Sequence, residues 1–163
     1  QFLPEAKDFW VSLNQVDEEI NIVNINLVIM ASMPRSLFGG CNNKQTPVLY
    51  KYTDCPLEIA FIMVESKFHS EVVNRVTGAT GLLQITPVMV DEVNRICRIM
   101  GLRMRFRMRD AFDPDKSIMM WRIAIMWHDP QDVEEAVCIW FGRGVQYDGQ
   151  TWKEYHERLK SFL

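Results

Sequence analysis

The sequence lacks any apolar run of the roughly 18 to 20 residues that a membrane-spanning helix requires. The longest candidate, Ile20–Met33, is interrupted by three asparagines. The sequence also lacks a large excess of either sign of charge, because its 18 basic and 21 acidic residues give a net charge of −3. The chain therefore gives no reason to expect a membrane span, or a general attraction to nucleic acid or membrane surfaces.

Cysteine and histidine are scarce, and neither is spaced as a metal site. The four cysteines include no Cys-x-x-Cys pair and have no histidine pair nearby. Two disulfides are possible in an oxidising compartment. However, Cys97 and Cys138 lie on helix-like apolar faces, which favours buried free thiols at these two positions. The three histidines are scattered. A serine hydrolase could use Ser66 and His69, but proximity on a helix does not by itself make a catalytic triad.

Helix starts, by contrast, are abundant in this chain of 163 residues. A side-chain acceptor followed by proline marks the first turn of a helix, because the acceptor caps free amides and proline needs no amide partner there. Such pairs, and a capping box at Thr151 and Glu154, predict helices over residues 56–67, 87–100, 114–128, 130–141 and 152–162. Apolar residues at three- and four-residue spacing support this, so the sequence predicts a mainly α domain.

Residues 1–53 do not follow this pattern. An amphipathic helix is expected near Glu5–Val16, whereas the isoleucine and asparagine run at 20–29 fits a strand and a helix equally well. Leu37–Cys41 has a faint likeness to a lipoprotein processing site, but a loop with paired glycines is the better account. The sequence thus predicts an N-terminal extension, 1–53, and a main domain, 54–163.

One carboxylate and one glycine-rich segment carry the clearest chemical signal. Glu65 ends the apolar stretch of the first predicted helix, and apolar surroundings disfavour a charged carboxyl. Its pKa should rise to about 6 from about 4.3, so that it can donate a proton near neutrality. Downstream, Gly78 and Gly81 allow a tight turn, and Gln84 offers both a donor and an acceptor to a sugar.

Together, Val64-Glu-Ser66 and the run Thr77–Pro87 resemble the lytic transglycosylase (SLT-type) and goose-type lysozyme families, which cleave peptidoglycan glycan strands. The resemblance covers roughly residues 54–145. It implies a lysozyme-like helical domain, with a small β element near 102–109 as an option. It also implies that no metal or cofactor is required.

The resemblance implies a catalytic role for Glu65 as acid and then base. No second carboxylate is obviously paired with it, as a two-carboxylate glycosidase would need. In such families the substrate's acetamido group assists and its 6-hydroxyl captures the intermediate, which gives a 1,6-anhydro sugar. Family expectation also places Ser66 and Gln84 in contact with substrate, with Leu83 and Thr86 nearby.

The third family motif departs from the expected pattern. Relatives carry an aromatic residue followed by asparagine at the end of a later helix, whereas this chain has Trp140 and Phe141. Trp140 can form an aromatic wall for a sugar, but Phe141 removes the amide. The alternatives are therefore a hydrolytic muramidase, or a catalytically weak peptidoglycan-binding or virion structural protein.

The expected partner is the peptidoglycan strand, without nucleic acid or a membrane span. Such chemistry implies an extracytoplasmic (periplasmic or cell-envelope) or virion-associated location, and no clear signal peptide is present. Residues 1–53 are a candidate docking element for a phage or secretion machine. The alternating segment Leu102–Arg109 fits a short strand or an extended loop with four arginines on one side. These arginines suit a solvated face, a patch for an anionic polymer such as a cell-wall strand, or, least well, nucleic acid.

Overall fold

The computed structural model describes residue 53 and residues 55–142 and 150–163. Five α-helices occur in this part of the chain: α1 (Pro56–Glu65), α2 (Pro87–Ile99), α3 (Pro114–His128), α4 (Val133–Val137) and α5 (Trp152–Lys160). A 3-10 helix at Met108–Phe112 precedes α3, and a π-helical turn at Cys138–Gly142 continues α4. The described residues contain isolated β-bridges but no named strand. The predicted mainly α, lysozyme-like helical class is confirmed.

Three of the predicted helix starts are formed by the expected side chains. The Thr86 hydroxyl accepts a hydrogen bond from the Met89 amide, and Asp113 caps the first turn of α3. Thr151 and Glu154 form the predicted capping box at the start of α5. Asp54 lies outside the described residues, and the N-cap of α1 is Cys55. Local capping chemistry thus sets where these helices begin.

The predicted start of the fourth helix at Asp129-Pro130 is wrong. Asp129 ends α3 in the left-handed conformation, at φ 47°, and its amide donates to the carbonyl of Ile125 at 3.0 Å. A residue before proline is disfavoured in the right-handed helical region, which explains the break. Asp132 is the N-cap of α4 instead, because its side chain accepts from the Glu135 amide at 2.8 Å.

The optional β element near 102–109 is also absent. Residues 102–107 have no regular secondary structure, and the 3-10 helix follows directly. The Asn94 side chain pairs with both backbone groups of Phe106, at 2.8 and 2.9 Å. The Asn94 side chain, from α2, thus supplies the hydrogen bonds that a partner strand would give to the backbone of Phe106.

The core is built around α3. Residues 117–126 are all buried, so this helix is enclosed on every side. Buried side chains of α1, including Phe61 and Ile62, belong to the same core. Arg122 of α3 and the fully buried Glu58 of α1 form a two-pronged salt bridge at 2.5 and 2.7 Å. This contact fixes the helix that carries Glu65.

None of the described helices combines the length and the apolar character needed to cross a membrane. Cys97 is a buried free thiol, and burial raises its pKa to about 11. Cys138 is also a free thiol, but it is only half-buried. The expectations for residues 1–52, including the helix near Glu5–Val16 and the docking role, lie outside the described residues.

Candidate active site

Glu65 is the last residue of α1, and its side chain is half-buried. The helix ends there because the amides of Ser66 and Lys67 both donate to the carbonyl of Ile62, each at 3.0 Å. The preceding residues of α1 are mostly apolar and buried, so the carboxyl stands at the edge of the core. The sequence therefore places one carboxyl between a dry interior and solvent.

Two aromatic side chains donate hydrogen bonds to this carboxyl. The Trp140 indole N–H lies 3.0 Å from Oε1 of Glu65, and the Tyr155 hydroxyl lies 2.7 Å from the same atom. No described residue donates a hydrogen bond to Oε2. With two donors on Oε1, the proton of the neutral acid belongs on Oε2. The carboxyl is thus held by one oxygen and presents the other.

The surroundings of Glu65 raise its pKa from 4.5 to about 7. Loss of solvation by burial is the largest cause, because it penalises the charged form. The hydrogen bonds from Tyr155 and Trp140, and the positive charge of Arg158, act in the opposite direction. The shift has the direction expected from the sequence. A carboxyl that titrates near neutrality can both give and take a proton.

Tyr155 is a stable donor in this arrangement. Burial, and then the charge of Glu65, raise the pKa of its hydroxyl well above the usual value. The ring also packs against Phe61, at 6.1 Å between centroids, and against Phe141, at 5.1 Å. These contacts fix the ring plane, so the hydroxyl is aimed at Glu65 before any substrate binds.

Arg158 lies one turn beyond Tyr155 on α5. Its guanidinium donates to the backbone carbonyl of Val64 at 3.1 Å, next to Glu65. The cation therefore binds the end of α1 through the backbone and acts on the Glu65 carboxyl through its charge. Among the described residues, none forms a direct salt bridge with this carboxyl.

Ser66 joins the end of α1 to the glycine-rich segment. Its side chain is buried, and its hydroxyl donates to the carbonyl of Leu82 at 2.7 Å. Its own carbonyl accepts hydrogen bonds from the amide and the Nδ1 of His69. Contact between Ser66 and substrate stays a prediction, and in this structure its hydroxyl has a partner within the protein.

The glycine-rich segment folds into a compact loop. Gly78 and Gly81 have φ values of 73° and 79°, where side chains are strained. A Cβ on Gly81 would lie 1.8 Å from the carbonyl oxygen of Ala111 in the 3-10 helix. Only glycine fits this contact, because the backbone of the loop packs directly against the backbone of the 3-10 helix.

The remaining loop candidates take different places. Leu83 is completely buried, so a contact with substrate would require its backbone. Gln84 is half-buried, and its side-chain amide nitrogen donates to the carbonyls of Val72 and Gly81, at 3.2 and 3.0 Å. Its carbonyl oxygen accepts no hydrogen bond from the described residues. Thr86 caps α2. The substrate roles of these residues stay predictions.

Trp140 and Phe141 lie on the π-helical turn, and π-helical turns are frequent at functional sites. Trp140 donates its indole N–H to Glu65, and its predicted role as an aromatic wall for a sugar stays a prediction. Its ring lies 6.4 Å from that of Trp121 and 6.5 Å from that of Phe61. Phe141 packs on Tyr155. The position expected to hold an amide therefore supports the ring of a Glu65 partner.

Sequence reasoning missed two of the groups around Glu65. The spacing of Trp152, Tyr155 and Leu159 places Tyr155 on the apolar face of the last predicted helix, and no motif points to Arg158. A buried tyrosine hydroxyl requires a hydrogen-bond partner, which is a usable signal, but the sequence does not identify that partner across 90 residues. Trp140 is a predicted site residue, and it lies at the acid.

No second carboxyl forms a hydrogen bond with Glu65 in the described part of the chain. Glu58, seven positions earlier on α1, is bound to Arg122 and to the Thr53 hydroxyl, at 2.6 Å from the latter. The described residues also contain no cluster of histidine, cysteine or acidic side chains suited to a metal ion. The geometry thus supports proton transfer by one carboxyl with neutral donors.

One family model matches the chain, the Transglycosylase SLT domain, over residues 47–128. The match contains Glu65 and the whole glycine-rich loop, begins within the predicted N-terminal extension, and stops before Trp140 and Tyr155. No curated protein and no solved structure matches the chain.

Proposed function

Because the chain belongs to the transglycosylase SLT domain family, we propose that it is a peptidoglycan lytic transglycosylase that uses Glu65 as its single acid and base. The bond cleaved is the β-1,4 bond between N-acetylmuramic acid and N-acetylglucosamine. The observation that carries the proposal is the half-buried carboxyl at the end of α1, whose pKa burial raises to about 7 and which is held on one oxygen by Trp140 and Tyr155.

The first step is protonation of the leaving group. Oε2 of the neutral Glu65 donates its proton to the glycosidic oxygen as the bond from this oxygen to C1 of the muramic acid breaks. The carboxylate that forms on Glu65 is stabilised by the Trp140 N–H, the Tyr155 O–H and the nearby charge of Arg158. Because these groups are already in place, they need no reorganisation during the step.

The second step regenerates the acid. The 6-hydroxyl of the same muramic acid attacks C1, and Glu65 takes the proton of that hydroxyl. The products are a new N-acetylglucosamine end and a 1,6-anhydro sugar, and no water is consumed. A carboxyl with a pKa of about 7 is suited to both transfers, because neither protonation state is strongly disfavoured near neutrality.

In the described residues the groups hydrogen-bonded to Glu65 are Trp140 and Tyr155 and not a second carboxyl, which fits a mechanism in which the substrate supplies the nucleophile. Two-carboxylate glycosidases use the second group as a nucleophile or to activate water. Here the nearest acidic residue on α1 toward its start is Glu58, which is committed to Arg122. In the proposed reaction the substrate supplies the nucleophile, so one carboxyl is sufficient. The site would act on peptidoglycan outside the cytoplasm.

Mass spectrometry of fragments released from purified peptidoglycan tests this proposal. The wild-type protein should release fragments that end in 1,6-anhydromuramic acid, and Glu65→Gln should release none. Glutamine retains the oxygen that accepts from Trp140 and Tyr155 but has no proton of comparable acidity to donate.

Glu71→Gln is the matched control, since it removes one exposed carboxyl close in sequence to Glu65. It should give the wild-type products. Reducing ends carrying one added water would replace the transglycosylase by a muramidase. Folded wild-type protein that binds peptidoglycan but releases nothing would contradict catalysis and favour a binding role.

A further inference from the structure

The basic residues of this acidic chain are concentrated in one stretch. Residues 93–109 contain six arginines and no carboxylate, which is a third of the 18 basic residues in the protein. Four of the six, at every second position, are exposed: Arg103, Arg105, Arg107 and Arg109. These four are called the arginine ridge below. This local concentration of positive charge contrasts with the net charge of −3 of the whole chain.

The arginine ridge is held in place by the core beneath it. Leu102, directly before the ridge, and Phe106, within it, are 8% and 7% exposed. Both side chains belong to the hydrophobic core, so the inner side of the segment is anchored there. Asn94 fixes the backbone of Phe106 by two hydrogen bonds, at 2.8 and 2.9 Å. The guanidinium groups are thus displayed by an ordered backbone, which reduces the entropy cost of binding.

No arginine of the ridge forms a salt bridge within the described part of the chain. The adjacent Asp110 forms a salt bridge with Lys116 at 2.8 Å, and the positive charge of Arg109 also acts on it. Arg105 makes two long hydrogen bonds to backbone carbonyls, at 3.3 and 3.4 Å. The positive charge is therefore available to an external anion.

The arginine ridge ends in the 3-10 helix that packs against the glycine-rich loop. Arg109 is within the 3-10 helix, Met108–Phe112, and the Ala111 carbonyl of that helix is the group that a Cβ on Gly81 would strike. Gly81 is also hydrogen-bonded to Gln84, the loop residue with a predicted substrate contact. The charged surface and the loop are consequently in contact through backbone atoms.

We propose that the arginine ridge binds the carboxylates of the peptide stems of peptidoglycan and so favours strands that still carry peptides. This inference rests on the proposed function, since it assigns a second part of the same substrate to a second surface. Peptide stems branch from the glycan strand, so a strand near the glycine-rich loop brings carboxylates near the ridge. Guanidinium groups pair with carboxylates through two parallel hydrogen bonds, which gives geometric preference as well as charge attraction.

The test is a binding measurement without turnover. Every protein carries Glu65→Gln, and binding is measured by co-sedimentation with peptidoglycan freed of attached phosphate polymers. Three forms of the polymer are compared: intact, stripped of its stems by an amidase, and intact with its carboxylates converted to neutral amides. The ridge variant is Arg103→Gln with Arg109→Gln, because neither side chain hydrogen-bonds to another described residue. The matched control is Lys153→Gln with Lys160→Gln, which removes the same charge from α5.

The ridge variant should bind intact peptidoglycan about 3- to 20-fold more weakly than the parent, as expected for two exposed ion pairs. The control should bind like the parent. Stripping or neutralising the stems should weaken the parent by a similar factor and leave the ridge variant unchanged. Thermal unfolding verifies that the variants remain folded.

Equal binding of the parent to intact and stem-free polymer would overturn the proposal. Equal weakening in the ridge and control variants would also overturn it, because it would indicate unspecific charge attraction. Walls that retain their phosphate polymers are measured as a fourth form, and if the ridge variant is weakened on that form alone, the proposal is overturned and the partner is a phosphodiester chain. Failure of cleavage by protein with intact Glu65 would contradict the proposed function alone, since this assay needs no turnover.

Discussion

Two glutamates on α1, Glu58 and Glu65, lie seven residues apart and have opposite surroundings. Glu58 is completely buried and bound by a cation, the guanidinium of Arg122, together with the Thr53 hydroxyl. Glu65 is half-buried and bound by two neutral donors on a single oxygen. Arg158, a described cation whose charge acts on Glu65, binds the Val64 carbonyl instead of the carboxyl.

The difference lies in what each carboxyl can do. The two-pronged contact with Arg122 occupies both oxygens of Glu58 and joins two helices of the core. Neutral donors fix Glu65 without supplying the full charge that would keep it ionised, so burial raises its pKa to about 7. One helix therefore carries one carboxyl that joins helices of the core and one that is suited to the proposed proton transfer.

The largest effect is expected when Glu65 is replaced. Glu65→Gln should lower the rate of glycan cleavage by about 10²- to 10⁴-fold, the usual contribution of a general acid. The same variant should be more stable than the wild type above pH 7, by up to about 3 kcal/mol. Initial rates on purified peptidoglycan and urea unfolding at pH 5 and pH 8 measure the two effects.

The sign of the stability change follows from the two states of Glu65. In the unfolded chain the carboxyl loses its proton near pH 4.5, whereas in the folded protein it keeps the proton up to about pH 7. Stability therefore decreases between these two values as pH rises, and glutamine removes this loss. A variant less stable than the wild type at pH 8 would contradict the assigned environment.

The second largest effect concerns the structural partner. Arg122→Met leaves Glu58 buried without its cation and should destabilise the protein by about 3 to 5 kcal/mol. The double variant Glu58→Met with Arg122→Met removes both charges and should recover more than half of that loss. Chemical denaturation measures both. Below its melting temperature the double variant should keep the wild-type cleavage rate, and a rate as low as that of Glu65→Gln would remove the distinction between the two glutamates.

Tyr155→Phe should have an intermediate effect. It removes a donor to the Glu65 carboxylate formed during the reaction, so the rate should fall about 10-fold. Since this hydrogen bond lowers the pKa of Glu65, its loss raises the pKa. The pH above which activity declines should consequently move upward. A pH–rate profile measures the shift, and an unchanged profile would show that Tyr155 has only a packing role.

Arg158→Gln should have the smallest effect. The charge of Arg158 lowers the pKa of Glu65 less than the hydrogen bonds from Tyr155 and Trp140 do, so the decline of activity should move to higher pH by less than in Tyr155→Phe. Lys160→Gln, on the same helix and paired with Glu157, is the matched control and should leave the profile unchanged. A larger shift for Arg158→Gln than for Tyr155→Phe would reverse the assigned order.

Much of the fold was predictable because its determinants are local. Thr86, Asp113 and Thr151 cap the helices that follow them, and a cap requires only residues within one turn. The fourth helix was misplaced because Asp129 and Asp132 are both acceptable caps. The left-handed turn that ends α3 at Asp129 chose between them.

The sequence by itself indicated the family, the candidate acid and the loop: Glu65 at an apolar helix end, and glycines where backbone must approach backbone. Tertiary structure decided which groups surround the acid, because Trp140 and Tyr155 reach it from 75 and 90 residues away. It also decided that Glu58 is structural, since Arg122 lies 64 residues distant on another helix. A carboxyl's chemistry depends on the charges and donors around it, and long-range packing supplies these.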